Sequence, residues 1–405
     1  MRSHSGNLTK CKKIALVVLC ATSRIAAAQD DSEAAKPISI EPALLVELRY
    51  DENIFRSARD VTSSLISIVS PRLDVVARPS NQRFEFSYRG DIAWYRESEV
   101  DDYDDHFFEG GAYLSLGQRA NFDLVATLDE AHENRGTGLS EGFDPSLNIP
   151  PKPDEYRRQR LLGRFSFGND ESVGRLVVDA VASDLGYTNN RDRTRFYDRI
   201  DTYGNATFYL RVLPGTSLML DARVTDIDWQ NDRPLEPGLD NTEYRFFVGI
   251  TWDTSGAITG TLKGGIMEKD FVEPTRGDYS DPSWDAHIRW SPRSYSHFDF
   301  RSARLPSETN GFGSFIDNRV NSISWEHEWN SRIQSSLSVS DWRMDYRDST
   351  IERQQDLTQY SLTLSYEMRR WLTLEAGVEV NSRESNIDIF GFDGNVYRIS
   401  VLAGL

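Results

Sequence analysis

Apolar and polar side chains alternate along a twelve-residue stretch that begins at Phe84 and ends at Tyr95. Every second position from Phe84 to Trp94 is mostly aromatic or aliphatic, whereas the positions between them are mostly charged or polar. Because successive side chains of a strand point to opposite faces, this pattern predicts a β-strand with one apolar and one polar face. The stretch is about twice as long as a typical strand in a soluble protein. Its length fits a tilted strand that crosses roughly 25–30 Å of hydrocarbon, with Trp94 near one interface.

The same alternation recurs to the end of the chain and predicts about eighteen strands. The tenth, whose apolar face runs from Thr242 to Trp252, is as clear as the third. The thirteenth, around Phe298 and Phe300, is short, and the fifteenth, through Leu337 and Val339, is weak. Sixteen strands therefore remain an alternative. Both counts are even, as in bacterial single-chain membrane barrels.

Connections between the predicted strands alternate between short turns and long loops. The short ones are 78–81, 117–119, 168–171, 213–216, 253–256, 291–293, 330–332 and 368–370. The long ones are 51–62, 97–105, 130–155, 184–198, 226–241, 270–281, 304–317, 343–353 and 382–394. An outer-membrane barrel has this layout, with short periplasmic turns and long extracellular loops. A β-sandwich gives no reason for the alternation, and a β-propeller requires a repeat of about 40–50 residues that the sequence lacks.

The predicted fold is therefore all-β, a transmembrane antiparallel up-and-down barrel. Hydrocarbon offers no hydrogen bonds, so the sheet must close on itself to pair every backbone group. At sixteen to eighteen strands, the closed sheet encloses a water-filled lumen unless something plugs it. The loop Glu130–Glu155, which contains four prolines, is the candidate for an infolded constriction. A surface loop that stands clear of the pore is the alternative.

The first 28 residues have the features of a signal peptide. Lys10, Lys12 and Lys13 precede the apolar run 14–21, which is too short to span a membrane as a helix. Ala26-Ala27-Ala28 then offers a cleavage site. We therefore predict export and cleavage near Ala28.

The exported part divides into a polar periplasmic lead-in, 29–39, and the barrel, 40–405. Both cysteines, Cys11 and Cys20, leave with the signal peptide. Removal of residues 1–28, which hold five basic and no acidic residues, changes the formal charge from −17 to −22. Such an acidic protein is a poor partner for nucleic acid, because phosphate contacts need clustered Lys and Arg. The exported part has no apolar stretch of 18 residues that could form a transmembrane helix.

The polar faces of the predicted strands carry charges of both signs and would line the lumen. A charged wall keeps a pore wet and offers hydrogen bonds to sugar hydroxyls or acidic sugars. The favoured interpretation is structural, because opposite charges on neighbouring strands neutralise each other. The candidate solute contacts are Glu85, Arg89, Asp91, Arg164, Arg211, Arg223, Glu243, Arg245, Lys263 and Arg289.

Three other features carry candidate chemistry, and each has a simpler interpretation. The acidic segment Glu97–Asp105 offers oxygen ligands to calcium but lacks the glycine and spaced glutamate of an EF-hand, so a solvated loop is favoured. The basic segments 157–160 and 191–195 could meet lipopolysaccharide phosphates or an anionic polymer, with solvated loops again favoured. The sequence pairs Asp105-His106 and Ser296-His297 are adjacent, and neighbours on a strand point to opposite faces. No metal site, cofactor site or enzyme is predicted from them.

The segment Tyr50-Asp51-Glu52-Asn53-Ile54-Phe55, followed by Ser70-Pro71 and by the strand from Phe84, carries a family resemblance. It resembles the outer-membrane β-barrel porin family of exopolysaccharide-synthesis loci, the beta-barrel porin 2 type. The resemblance implies a barrel of about eighteen strands in the outer membrane of a Gram-negative bacterium. It also implies participation in the secretion of a polysaccharide, beside a periplasmic polysaccharide-export protein.

Three hypotheses for function follow. The first is a non-enzymatic conduit for export of an exopolysaccharide or surface polysaccharide, with outer-membrane lipid and lipopolysaccharide as its surroundings. The second, a general diffusion porin for small solutes, depends on the fold alone, and a fold does not determine function. The third, a barrel enzyme that uses His106 or His297, is the least favoured, because no hydrolase motif accompanies these residues.

Overall fold

Eighteen strands form one antiparallel sheet in the computed structural model, which describes residues 37–143, 150–169, 171–234, 236–253 and 256–404. The strands are β1 (Ile38–Asp51), β2 (Ser64–Ala77), β3 (Arg83–Tyr95), β4 (Tyr103–Ser115), β5 (Ala120–Glu133), β6 (Asp154–Phe167), β7 (Gly174–Tyr187), β8 (Arg199–Leu213), β9 (Thr216–Trp229), β10 (Asn241–Asp253), β11 (Ile258–Phe271), β12 (Tyr279–Arg293), β13 (Ser296–Glu308), β14 (Phe315–Asn330), β15 (Ile333–Arg347), β16 (Arg353–Arg369), β17 (Leu372–Ser385) and β18 (Phe392–Gly404). The predicted count of eighteen is confirmed, and sixteen is excluded.

The sheet closes because β1 pairs with both β2 and β18. The closing register places Ala43 opposite Gly404 and Asp51 opposite Val396. Each remaining strand pairs with the strands that precede and follow it in the chain. This is the predicted up-and-down barrel, and its closure leaves no unpaired sheet edge for lipid to meet.

Two strands are longer than the sequence predicts. β13 has 13 residues and β15 has 15, although the apolar alternation made them look short and weak. Apolar residues mark only the part of a strand inside hydrocarbon. Beyond Val339, β15 continues through Asp341 and Arg343, which share the face of Val339. The predicted loops 304–317 and 343–353 shrink for the same reason, to 309–314 and 348–352.

The described chain begins just before β1, which starts at Ile38, so the predicted signal peptide and most of the lead-in lie outside the described residues. Helix is scarce in the part that is described: one α-helix, α1 (Arg191–Thr194), and short 3₁₀ turns. None of the described helices is long and apolar enough to cross a membrane. We call the end of the barrel with the long connections the loop end, and the opposite end the turn end.

The outer wall is apolar, as predicted. Leu48, Phe246 and Ile399 are 52%, 55% and 66% exposed. Glu47 and Glu243, on the inner faces of β1 and β10, are buried. In a membrane protein such exposed apolar positions face lipid, so this alternation turns the greasy face of each strand outward.

The inner wall departs from the prediction at the loop end, where it is apolar rather than polar. Ile66, Ile68, Ala93 and Tyr95 are buried there and pack with Ile54 of the first loop. Similar clusters join strand ends to loop residues elsewhere around the mouth, through Leu139, Leu239 and the tyrosine and tryptophan residues beside them. The hydrophobic core of this protein therefore lies inside its mouth, between the strands and the loops that fill it.

Candidate functional site

Most charges on the inner wall neutralise one another. Arg89 lies 3.1 Å from Asp91, two residues along the same strand, and Arg164 lies 2.5 Å from Asp179, its register partner on β7. Ion pairs also hold Glu85, Glu243, Arg245, Lys263 and Arg289. Eight of the ten candidate contacts therefore have a carboxylate or a cation as partner in the protein itself. That any of them contacts a solute stays a prediction.

Arg211 and Arg223 are the two candidates that make no ion pair with a described residue. The guanidinium of Arg223 lies 4.5 Å from the ring centroid of Tyr203 and 3.3 Å, through Nε, from Asn205 Oδ1. Arg211 and Arg223 are half-buried on the inner face of β8 and β9. These two cations are therefore free to meet a solute anion.

We call the connection between β5 and β6, residues 134–153, the crossing loop, and its described residues include one that reaches the far wall of the barrel. Its residue Glu141 contacts strands that are not neighbours of β5 or β6: Arg353 begins β16, and Arg383 lies near the end of β17. The infolding predicted for Glu130–Glu155 is thus observed in its described part, and that the loop constricts the pore stays a prediction. Residues 144–149 lie outside the described residues.

Glu141 accepts contacts from four directions. Its carboxylate lies 2.7 Å from Nη2 of Arg353, pairs with Nη1 of Arg383, and accepts a 2.8 Å hydrogen bond from Nδ2 of Asn310. The hydroxyl of Tyr346 donates from 3.4 Å. The three charged side chains are 5%, 0% and 1% exposed. A charge buried this deeply is tolerated only when it is paired, so these groups depend on one another.

Aromatic rings enclose Arg353. Its guanidinium lies 3.5 Å from the ring centroid of Phe390, 4.0 Å from that of Tyr346 and 4.5 Å from that of Phe312. Its contact with Glu141 is an ion pair rather than a directed hydrogen bond, and its N–H groups make no other hydrogen bond to a described residue. Ring faces carry partial negative charge and therefore take the place of acceptors.

Both ends of the crossing loop are tied as well. Near its start, Arg135 donates a 2.7 Å hydrogen bond from Nε to Asp101 and lies over the ring of Phe55 at 4.5 Å. Arg193, in the connection between β7 and β8, donates a 2.8 Å hydrogen bond to the carbonyl of Leu139 in the crossing loop. It also pairs with Asp154, where the crossing loop ends. The loop is thus anchored to the loops on both sides of it.

The remaining loops interlock in the same way. Arg276 donates to the carbonyls of Pro237 and Gly238, each at 2.7 Å, and to Ser314 at 2.6 Å, which joins three loops. Burial holds the pKa of Arg276 below its ordinary value. Lys269 at the end of β11 is fully buried and pairs with Glu308 at 2.6 Å. These contacts tie neighbouring loops to one another around the mouth.

Sequence reasoning proposed the crossing loop but missed its anchors. Glu141 is one of many acidic loop residues, and nothing in its neighbourhood distinguishes it. Arg353 and Arg383 were open to prediction, since both fall on the inner face near the loop end. Their partner, however, lies far away in the chain, and only the closed barrel brings it to them.

The other candidate features turn out to be structural. Asp105 pairs with His132, at 2.9 Å from Nδ1, instead of with the adjacent His106. Nδ1 of His297 lies 2.8 Å from the hydroxyl of Ser291, not from that of Ser296. These pairs form across strands or turns, which adjacency in sequence does not show.

Residues of the acidic and basic segments make contacts with other parts of the protein. Asp101 pairs with Arg135, and Asp102 accepts a 2.7 Å hydrogen bond from the backbone of Tyr95. In the basic segment, Arg191 pairs with Asp198, which raises the pKa of that guanidinium. The interpretation of these segments as solvated loops is wrong for Asp101, which is buried, whereas Asp102 and Arg191 are exposed as that interpretation predicts. Among the described residues, no group of three or more acidic, His or Cys side chains is arranged to hold a metal ion.

Several solved outer-membrane barrels share this architecture. OccK1 (OpdK) of Pseudomonas aeruginosa is 11% identical, with a TM-score of 0.48 over 91% of this chain and 98% of that one. The FrpB iron transporter from Neisseria meningitidis (F5-1 variant) is 10% identical, with a TM-score of 0.49 over 90% and 82%. At such identities and TM-scores, these similarities carry no argument about this chain. No curated protein matches the sequence.

The family comparison covers nearly the whole barrel. A family model described as "Putative beta-barrel porin 2" matches residues 39–404, from the second residue of β1 to the last residue of β18. A match of this extent, on a closed barrel with an apolar outer wall, indicates an outer-membrane protein. The chain therefore belongs to this family of outer-membrane β-barrel porins.

Proposed function

We propose that the protein is a gated, non-enzymatic outer-membrane channel for small polar solutes, held shut by the crossing loop. The observation that carries this proposal is the burial of Glu141 between Arg353 and Arg383. These contacts fasten a loop from one part of the barrel to strands on another part. Below them, the inner wall is polar and charged, as a water-filled pore requires.

The contact between loop and wall suits a gate better than a permanent plug. Ion pairs with Arg353 and Arg383 and a hydrogen bond from Asn310 hold Glu141 in place. Such contacts exchange for water when a loop moves. Small solutes need only a local movement of the crossing loop. A polymer needs the interlocked loops around it to move as well, which favours small solutes.

Swelling of liposomes that contain the purified protein tests this proposal. We expect slow entry of a pentose and slower entry of a disaccharide, with a large dextran excluded. Equal rates for the pentose and the dextran would contradict a small-solute channel. If none of these solutes entered, even through the Glu141→Gln variant described in the Discussion, a channel function would be contradicted altogether.

Export of an exopolysaccharide or surface polysaccharide is the second candidate. The N-terminal signature Tyr50–Phe55 supports it, since that segment resembles porins of exopolysaccharide-synthesis loci. A barrel of eighteen strands also has room for an extended polymer once its loops are displaced. Deletion of the gene should then abolish extracellular polymer and leave uptake of small solutes unchanged. Unchanged polymer would rule out this candidate, and complementation with the wild-type gene is its control.

A further inference from the structure

Two arginines of the inner wall converge on one tyrosine near the middle of the barrel. Arg160 of β6 donates from Nη2 to the hydroxyl of Tyr203 of β8 at 3.1 Å. The guanidinium of Arg223 of β9 lies 4.5 Å from the centroid of the same ring. All three side chains are half-buried on the inner face, so water in the lumen reaches them. We call Arg160, Tyr203 and Arg223 the arginine–tyrosine site.

No carboxylate neutralises these two guanidinium groups within the described protein. Asp201, two residues from Tyr203, pairs with Arg199 at 3.1 Å. Asp221, two residues from Arg223, accepts a 2.7 Å hydrogen bond from the hydroxyl of Thr207. Asp179 of β7 belongs to Arg164. Each of these three carboxylates thus has a partner other than Arg160 or Arg223, and Asp129 of β5 has Arg158 as its register partner.

A further guanidinium lies beside this place and is already paired with a carboxylate. Arg245 of β10 is the register partner of Arg223, and its own carboxylate, Glu243, lies 2.5 Å away. Like charges directly opposite each other on neighbouring strands are destabilising. The residues of β7 directly opposite Arg160 and Tyr203 are Ser183 and Val181, which are uncharged. An anion between Arg160 and Arg223 would supply a counter-charge to these two guanidinium groups, which make no ion pair with a described residue.

We propose that the arginine–tyrosine site binds the anionic group of an acidic sugar that passes through the lumen. The two guanidinium groups donate charge-assisted hydrogen bonds to its carboxylate or phosphate oxygens. The neighbouring hydroxyls of Ser183 and Thr225, register partners of Arg160 and Tyr203, lie on the same wall as donors and acceptors for sugar hydroxyls. This inference depends on the proposed channel function, because only a solute that enters the lumen meets the site.

Equilibrium binding to the folded, detergent-purified protein tests the site without the need for an open gate. The probes are glucuronate, glucose 6-phosphate and glucose, each titrated calorimetrically. We expect both anionic sugars to bind and glucose to give no signal. Binding of glucuronate alone identifies a carboxylate site, and binding of glucose 6-phosphate alone identifies a phosphate site.

Substitutions then locate the site. Arg160→Gln and Arg223→Gln should each weaken binding about tenfold, the effect of one lost charge-assisted hydrogen bond. Arg398→Gln is the matched control, because it removes the same charge from the inner face of β18, where Arg398 donates to Thr363 at 2.8 Å. Equal weakening in all three variants, or no binding by the wild-type protein, would overturn the proposal.

The outcome separates this inference from the channel itself. Binding that the two variants lose, together with no solute entry into liposomes, would uphold the site and reject the channel. Solute entry that shows no preference for acidic over neutral sugars, with no measurable binding, would uphold the channel and reject the site.

Discussion

The carboxylate of Glu141 lies 2.7 Å from the guanidinium of Arg353, although one residue belongs to the crossing loop and the other begins β16. Neither group is more than 5% exposed. The closed barrel makes this pair possible, because a loop that leaves β5 meets β16 only by passing through the mouth. The pair is therefore a direct link between the crossing loop and a distant part of the barrel wall.

Removal of the carboxylate should open the mouth. In Glu141→Gln, two buried guanidinium groups lose their counter-charge, which destabilises the closed arrangement by about 3–5 kcal/mol. We expect longer and more frequent open events in planar bilayers than for the wild-type protein. The measurement is single-channel conductance at fixed voltage and salt.

The control for this variant is Glu155→Gln. Glu155 is an exposed residue at the start of β6, and its backbone, rather than its side chain, makes its contact with Asn189. The conductance of the Glu155→Gln variant should match that of the wild-type protein. If Glu141→Gln also matched the wild type while folding normally by circular dichroism, the crossing loop would not be a gate.

Gly136 should tolerate no side chain. It has a φ of +79°, and a Cβ there would lie 1.5 Å from the carbonyl oxygen of Phe55. In Gly136→Ala, the left-handed backbone alone costs about 1–2 kcal/mol, and the crossing loop must also move away from the first loop. We expect faster cleavage within the loops by trypsin. Gly204→Ala, at a position with nothing within 4 Å, should be cleaved at the wild-type rate.

Adjacent residues of β9 should differ completely in their access to water. Arg223 faces the lumen and Val224, which is 47% exposed, faces lipid. In a background with Cys11 and Cys20 replaced by serine, Arg223→Cys should react with a charged, membrane-impermeant thiol reagent in liposomes. Val224→Cys should not react. The reverse order would mean that the strand faces are assigned the wrong way round.

Asp240, in the loop before β10, should make stability depend on pH. Burial, with help from nearby Asp228, Asp232 and Asp226, raises the pKa of Asp240 above its ordinary value, and the hydrogen bond from the backbone of Trp229 opposes this. A raised folded-state pKa means that stability falls as pH rises from the unfolded-state pKa through the folded-state pKa.

Asp240→Asn keeps an acceptor for the 2.7 Å hydrogen bond from Trp229 and removes the titration. The variant should therefore gain urea resistance relative to the wild-type protein as pH rises through the acidic range. The difference between the two unfolding midpoints is the measurement, since it cancels all other titrating groups. A difference that does not change with pH would contradict the role of Asp240.

The predicted architecture succeeded where local pattern was sufficient. The strand from Phe84 and that from Thr242 were evident because hydrocarbon on one side and neighbouring strands on the other impose a period of two. The same rule underestimated β13 and β15. Their outer faces become polar above the membrane, at Arg304 and Asp341, and the strands continue beyond that level.

The inner wall was predicted only in part. Pairs such as Arg89 and Asp91 follow from spacing along one strand, and Arg164 with Asp179 follows from strand order. The apolar mouth around Ile66 was missed, because an apolar inner face has a reason to exist only when loops cover it.

The sequence by itself indicated about eighteen strands, with sixteen as an alternative, as well as the lipid-facing side of each strand and the candidate loop for a constriction. These properties depend on side chains that are neighbours in the chain or on its contact with lipid. The tertiary structure alone decided that Glu141 meets Arg353 and Arg383, and that Arg160 and Arg223 share Tyr203. Such partners become neighbours only after the sheet has closed, because the circumference of the barrel, rather than the order of residues, sets the distance between them.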